Sequence, residues 1–304
     1  MHLISVLDAK DIVEELFELA DRLKKEKSEP LKKKTLVMIF EKPSTRTRIS
    51  LDVAIAQLGG NAIYMSPSEM QLSRGENIKD TALTLSRYAD AVAIRANKHS
   101  DVVEFARHSK VPVINALTEV EHPCQALSDL YTIKEKKKTF DLKLAYIGDG
   151  NNVCNSLILA SAIAGMRMSV ATPKGYEPDE KILKKAKKLS KKIQLTHDPR
   201  EAAKGAQIIY TDVWISMGQE REQEKRLKAF KAYKIDNSIV KLGDNPLIMH
   251  CLPAKRGLEI TDEVLESKNS IVFDQAENRL HMQKAILYKL IKTKTQNNKN
   301  QKEK

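Results

Sequence analysis

The sequence predicts an α/β protein of two domains, each a parallel β-sheet flanked by helices. Short apolar runs alternate with helical stripes along most of the chain, the rhythm of parallel strands covered by helices. At ~100–200 residues per domain, 304 residues divide into two domains. A content of 41% hydrophobic and 30% charged residues fits a water-soluble globular protein, and the length is enough to bury a core without staples.

Residues 9–26 place Ile12, Leu16, Leu19 and Leu23 on one helical stripe. Thr35–Phe40 is a short apolar run suited to a buried strand. Residues 46–58 return to helical spacing, with one stripe of Ile49, Val53 and Ala56 and another of Leu51, Ala54, Ile55 and Leu58, and Gly59-Gly60 stops the helix. Further strand-like runs lie near 62–65, 91–95, 111–114, 143–148, 167–171, 207–210, 247–250 and 271–273, with helical patterns between them. The lysine-rich end of the helix after His122 and the fresh strand at Lys143 put the domain join near 134–140. The expected domains are therefore 1–134 and 135–304, with a last helix at about 277–292 free to pack on either. Lys292–Lys304 lacks apolar residues and is predicted to be a frayed tail.

The formal net charge is +12, which permits nucleic-acid binding. The lysines argue otherwise. Between Lys181 and Lys192 they surround one apolar stripe of Ile182, Leu183, Ala186 and Leu189, the pattern of a solvated helix face. Nor is there an aromatic stacking set or a recognisable reading helix. Three cysteines, Cys124, Cys154 and Cys251, fit a reducing compartment without a disulfide framework. No run reaches the ~20 apolar residues of a membrane span, and the first ten residues have no signal-peptide core or transit character. A cytoplasmic protein, with neither nucleic acid nor membrane as partner, is expected.

The first candidate site is Ser44-Thr-Arg-Thr-Arg48, between a strand and a helix. Free N–H groups and the helix dipole favour an anion there. Ser44, Thr45 and Thr47 add hydroxyls, and Arg46 adds a planar charged fork suited to phosphate. Simple capping by Ser or Thr explains one hydroxyl, but not two arginines set among three. Arg95 closes a second strand, where charged groups in parallel sheets usually face a ligand crevice. In His122-Pro-Cys-Gln125, Pro123 fits a first helical turn, which puts His122 and Gln125 on one face. The turn Gly148-Asp-Gly-Asn-Asn-Val153 has Val where a dinucleotide fingerprint wants its third Gly, so a nucleotide cofactor is not indicated. No His/Cys/Asp cluster has metal-ligand spacing, so no metal is expected.

Ser-Thr-Arg-Thr-Arg after a strand resembles the carbamoyl-phosphate motif of the aspartate and ornithine carbamoyltransferases, and the family's other motifs follow in order. The resemblance covers residues 3–290 and implies a carbamoyl transfer without a cofactor. It assigns carbamoyl phosphate to Ser44, Thr45, Arg46, Thr47, Arg95, His122, Gln125, Cys251, Leu252 and Arg279. Gln71 would reach it from a neighbouring subunit of a homotrimer. Arg95, His122 and Cys251 would be catalytic. Thr211-Asp-Val-Trp-Ile-Ser-Met-Gly218 looks like the family's ornithine-binding motif. The resemblance therefore gives Asn152, Asp212, Ser216 and Met217 to L-ornithine, with citrulline and phosphate as products in arginine metabolism. His250-Cys-Leu-Pro253, where the aspartate-using relatives carry His-Pro-Leu-Pro, points the same way. Other amines, such as putrescine or an N-acylated ornithine, stay open as acceptors, as do a nucleic-acid-binding protein and a non-catalytic oligomeric scaffold.

Overall fold

A computed structural model of the chain describes residues 1–71, 75–216 and 220–302. They fall into two compact units, Met1–Tyr131 together with the segment from Glu277 onward, and Thr132–Ala276.

The first unit contains strands β1 (Thr35–Phe40), β2 (Asn61–Met65), β3 (Ala91–Arg95) and β4 (Val113–Leu117). Their order is β2-β1-β3-β4, and every pair is parallel. Leu36–Phe40 and the whole of β3 are buried. A strand is buried on both faces only when covered on both, so successive residues must be apolar rather than alternating. That is why these runs read so plainly in the sequence. Helices α1 (Val13–Lys25), α2 (Thr45–Gln57), α3 (Ile78–Tyr88), α4 (His99–His108) and α5 (Pro123–Lys137) accompany them. Of the two stripes on α2, Leu51, Ala54, Ile55 and Leu58 are buried, whereas Ile49 and Val53 face solvent.

The second unit orders its strands β7-β6-β5-β8-β9, again all parallel. The strands are β5 (Lys143–Ile147), β6 (Arg167–Ala171), β7 (Ile193–Thr196), β8 (Ile208–Thr211) and β9 (Leu247–His250). The helices are α6 (Asn152–Ile163), α7 (Glu180–Leu189), α8 (Pro199–Ala203), α9 (Gln223–Phe230), α10 (Asn237–Val240) and α11 (Asp262–Leu265). The lysine-rich α7 buries Ile182, Leu183 and Ala186 and leaves its lysines outward.

Two sequence expectations are corrected. Residues 271–273 are not a strand. Ile271 donates to the Ile248 carbonyl at 3.0 Å, and at Val272 the chain enters a long helix, α12 (Val272–Lys302). The β-prone Ile-Val-Phe gains one backbone partner there, while the helix-favouring residues after it set the conformation. Nor does helix end at 292. The polar residues beyond it contain no Gly or Pro, so nothing breaks the hydrogen-bond ladder before Lys302. From Glu277 onward α12 belongs to the first unit, where Lys284 donates to the Leu23 carbonyl and Lys289 pairs with Glu15 at 2.6 Å. Among the described residues no helix is long and apolar enough to cross a membrane.

Each sheet has one place where successive connections leave in opposite directions, between β1 and β3 in the first and between β5 and β8 in the second. At such a switch point the loops after the two strands separate and leave a crevice at their carboxyl ends. Ser44–Thr47 and Arg95 follow β1 and β3, and Asn152 and Asp212 follow β5 and β8.

Candidate active site

In the first unit, β1 leads into the Ser44 loop and α2. Ser44 caps the helix, its hydroxyl accepting from the Thr47 N–H at 3.4 Å. Thr45 is exposed and Arg46 half-buried in the first turn, which leaves the positive end of the helix dipole facing the loop. Thr47 is buried, and its hydroxyl accepts from Arg279 Nη2 at 2.8 Å. The same guanidinium donates through Nη1 to Gln125 Oε1. Gln125 is held in turn by its amide, which donates to the buried Asp129 carboxylate at 2.8 Å. Arg279 thus ties α2, α5 and α12 together around the end of the β-sheet.

Arg95 ends β3 beside an irregularity in the ladder. Ile94 pairs with Asn115 but Arg95 with Leu117, so Ala116 is passed over. Such bulges commonly re-aim a side chain next to a site. Arg95 is buried, and its Nε has no hydrogen-bond partner among the described residues. Burial, with the charges of Arg279 and Arg46 nearby, lowers its pKa to about 10. His122, just before Pro123 of α5, is held well below the ordinary histidine value by burial and by Arg279 and Arg95. It is therefore a neutral imidazole at pH 7, able to donate one hydrogen bond without adding a charge. Cys124 beside it is no nucleophile, because burial raises its thiol to about 11. A buried guanidinium with no carboxylate among the described residues is costly unless an anion joins it. With two further arginines close enough to repel it, this cluster suits a multiply charged anion. Gln71 stands apart. Its side chain is exposed, and no hydrogen bond joins it to the other candidates among the described residues.

In the second unit the turn after β5 meets the end of β8. Gly148 has φ +151°, and a Cβ on Gly150 would lie 2.4 Å from the backbone of Glu177 and Pro178. The Gly150 N–H donates to the Tyr176 carbonyl at 3.0 Å, and Asn151 caps α6 by accepting from Val153 and Cys154. The space and the donors that a pyrophosphate would use are taken by the chain itself. Asp212, directly after β8, is buried. It accepts from the Asn151 amide at 2.8 Å, the Val213 N–H at 2.8 Å and the Cys251 thiol at 3.0 Å. Asn152, named from sequence, is half-buried at the start of α6, next to Asn151. Ser216 is half-buried. Met217 lies outside the described residues.

Cys251 and Leu252 follow β9. Leu252 has φ +55°, a left-handed conformation that costs a branched residue about 1–3 kcal/mol and is most often found where function holds it. Its N–H donates to His250 Nδ1 at 2.9 Å, so the imidazole proton sits on Nε2 and faces Glu259 at 3.1 Å. Asp212, His250 and Cys251 thus come together in space, with potential ligand atoms within 4.8 Å of one another, a grouping that linear spacing does not reveal. As arranged, each is already engaged, His250 with Leu252 and Glu259, and Cys251 with Asp212.

Asp129, Asn151, Asp149 and Arg226 were not anticipated from sequence. Asp129 had a signal, since it continues the face of His122 and Gln125 at i+7 and i+4. Asp149 is lifted from its ordinary 3.8 to about 6 by burial, against the pull of Arg226. A folded-state pKa raised in this way contributes stability that is complete below about pH 4 and lost as pH rises through 6. Relative to Asp149→Asn, the wild type should therefore gain about 1 kcal/mol of unfolding free energy between pH 8 and pH 5. Urea titrations at both pH values measure this, and a pH-independent difference would refute it.

Residues 1–135 match the family model described as aspartate/ornithine carbamoyltransferase, carbamoyl-P binding domain. Residues 140–290 match its Asp/Orn binding domain. The chain is 56% identical over 298 residues to an ornithine carbamoyltransferase of Archaeoglobus fulgidus, covering 95% of this chain and 97% of that one. It is 54% identical to a catabolic ornithine carbamoyltransferase of Thermoplasma volcanium, over 95% and 98% of the two chains. Among solved structures it resembles ornithine carbamoyltransferase from Pyrococcus furiosus, with a TM-score of 0.91, 48% identity and 94% and 96% coverage. It also resembles the anabolic enzyme of Campylobacter jejuni, with a TM-score of 0.91, 43% identity and 96% and 99% coverage.

Proposed function

The chain belongs to the aspartate/ornithine carbamoyltransferase family and is a carbamoyltransferase, and from that premise we propose that its acceptor is L-ornithine, carbamoylated on the side-chain amine to give citrulline and phosphate. The observation that carries the donor half is the buried Arg95, which lacks a carboxylate among the described residues and is set beside Arg46 and Arg279. Ser44, Thr45, Arg46 and Thr47 hold the phosphate, and Gln125 and Leu252 the carbamoyl end. For the acceptor half, Asp212 with Asn151 offers a buried anion and an amide, suited to the ammonium and carboxylate of an amino-acid head group. Asn152, Ser216 and Met217 complete this reading.

An amine of reference pKa ~10.4 must lose a proton before it attacks, and a dry site near arginines lowers that value. The neutral nitrogen then bonds to the carbamoyl carbon. Charge grows on the carbonyl oxygen, where Thr47, Arg95, the neutral His122 and Arg279 stabilise it. The carbon–oxygen bond to phosphate breaks, and the departing phosphate takes the amine's second proton. Cys251 orients the amine and is not itself acylated. Accordingly Cys251→Ser should slow turnover about tenfold, the scale of one altered hydrogen bond. Complete loss with a trapped carbamoyl-thioester would overturn direct attack.

Incubating the enzyme and carbamoyl phosphate with ornithine, putrescine or N-acetylornithine tests the acceptor. Citrulline formation at the highest kcat/KM is expected, and preference for another amine would sink the reading. Kinetics in both directions assign the physiological one within arginine metabolism, since relatives carry both the catabolic and the anabolic name. We also place the enzyme in the cytoplasm as a homotrimer in which Gln71 serves a neighbouring subunit. Exposed Ile49 and Val53 on α2, with Ile63 on the edge strand β2, support an apolar contact between copies. Sedimentation at assay concentrations checks this.

A further inference from the structure

Outside the residues assigned to either substrate, the described residues of the second unit include a buried cation, Arg226, whose partners come from three separate loops. Arg226 lies on α9 with its side chain only 7% exposed. Its Nη1 donates to the Trp214 carbonyl at 2.8 Å and pairs with Asp149 Oδ2 at 3.1 Å. The guanidinium lies 4.8 Å from the ring centroid of Tyr176 and 5.8 Å from that of Phe230. Trp214 stacks on Phe230. Asp149 belongs to the turn after β5, Tyr176 to the loop after β6, and Trp214 to the loop after β8. Trp214 stands midway between Asp212 and Ser216, and Asp149 stands two residues before Asn151, the partner of Asp212.

We infer that Arg226 is a positioning residue for the acceptor: it fixes the loops after β5 and β8 against each other, so that Asp212 and Asn151 are preset to receive the amino-acid head group. This rests on the reading of Asp212 as an ornithine contact. The physical case is that one guanidinium holds both loops through hydrogen-bonding and ionic contacts and is itself clamped by aromatic faces. A residue serving only the core would not need partners on two loops that lead to the same carboxylate. Preorganisation of this kind acts on substrate affinity, since a loop that must order on binding weakens it.

The test compares wild type, Arg226→Met and Arg226→Lys. Arg226→Met should raise the ornithine KM tenfold or more while equilibrium binding of carbamoyl phosphate changes less than twofold. Arg226→Lys, which keeps a donor and the charge, should recover part of the loss. Trp214 is the sole tryptophan, so its emission should shift in Arg226→Met and move back toward wild type in Arg226→Lys. If Arg226→Met does not fold, Asp149→Asn, which removes the ionic contact without changing shape, should raise the ornithine KM in the same selective way. An unchanged ornithine KM in a folded variant, or equal losses for both substrates, would overturn the inference. Wild type that fails to carbamoylate ornithine would instead overturn the acceptor assignment.

Discussion

Replacing Arg46 by alanine should lower kcat/KM for carbamoyl phosphate roughly 100- to 1,000-fold while leaving the fold intact. The side chain stands in the first turn of α2, behind the Ser44 cap and close enough to Arg95 to depress that group's pKa. A phosphate dianion there meets the helix N-terminus and a guanidinium together. Charge-assisted hydrogen bonds are worth about 1.5–3 kcal/mol each, so losing a two-pronged contact accounts for the expected range. Stability should hardly change, because Arg46 is only half-buried and the first unit's core lies beneath Leu51, Ala54 and Ile55. The check is steady-state kinetics with a thermal melt. Unchanged kinetics would remove the phosphate assignment.

The second large effect should fall on the other substrate. Asp212→Asn preserves shape and removes the one charge, and it should reduce kcat/KM for ornithine about 100-fold or more. Truncating one member of a buried charge pair costs about 2–5 kcal/mol. Direct binding of carbamoyl phosphate, measured by calorimetry, should stay within twofold of wild type. Asp212 belongs to the second unit, whereas Ser44–Thr47, Arg95 and His122 belong to the first. Together the two variants make a double dissociation, one substrate lost with each. A common loss in both would mean that these residues support the fold rather than separate substrates.

What could be read in advance follows from how each element is buried. β1, β3, β5 and β8 are covered on both faces, so their apolar runs had to be continuous and stood out. β7 has only four residues, and Gln194 and Leu195 are exposed, which leaves too little contrast to register as a strand. At 271–273 local β-propensity competed with a helix that carries tertiary contacts, and the helix prevailed. On the site side, Ser44–Thr47 and His122-Pro-Cys-Gln125 could be picked out because each lies within a few residues of a strand end or helix start, and the family resemblance supplied the roles expected of them.

Sequence by itself determined the class of fold and most of its strands and helices, because backbone propensity, burial period and helix ends act over short stretches of chain, while the family resemblance supplied the chemistry expected of the loops. Only the tertiary structure decided that Arg279 bonds Thr47 across 232 positions, that Asn151 donates to Asp212, that Cys251 donates to that same carboxylate, and that Arg226 bonds two loops. Those contacts depend on distance in space, and a buried polar group takes whichever partner the packed fold puts within hydrogen-bond reach, since going without one costs more than any local preference can supply.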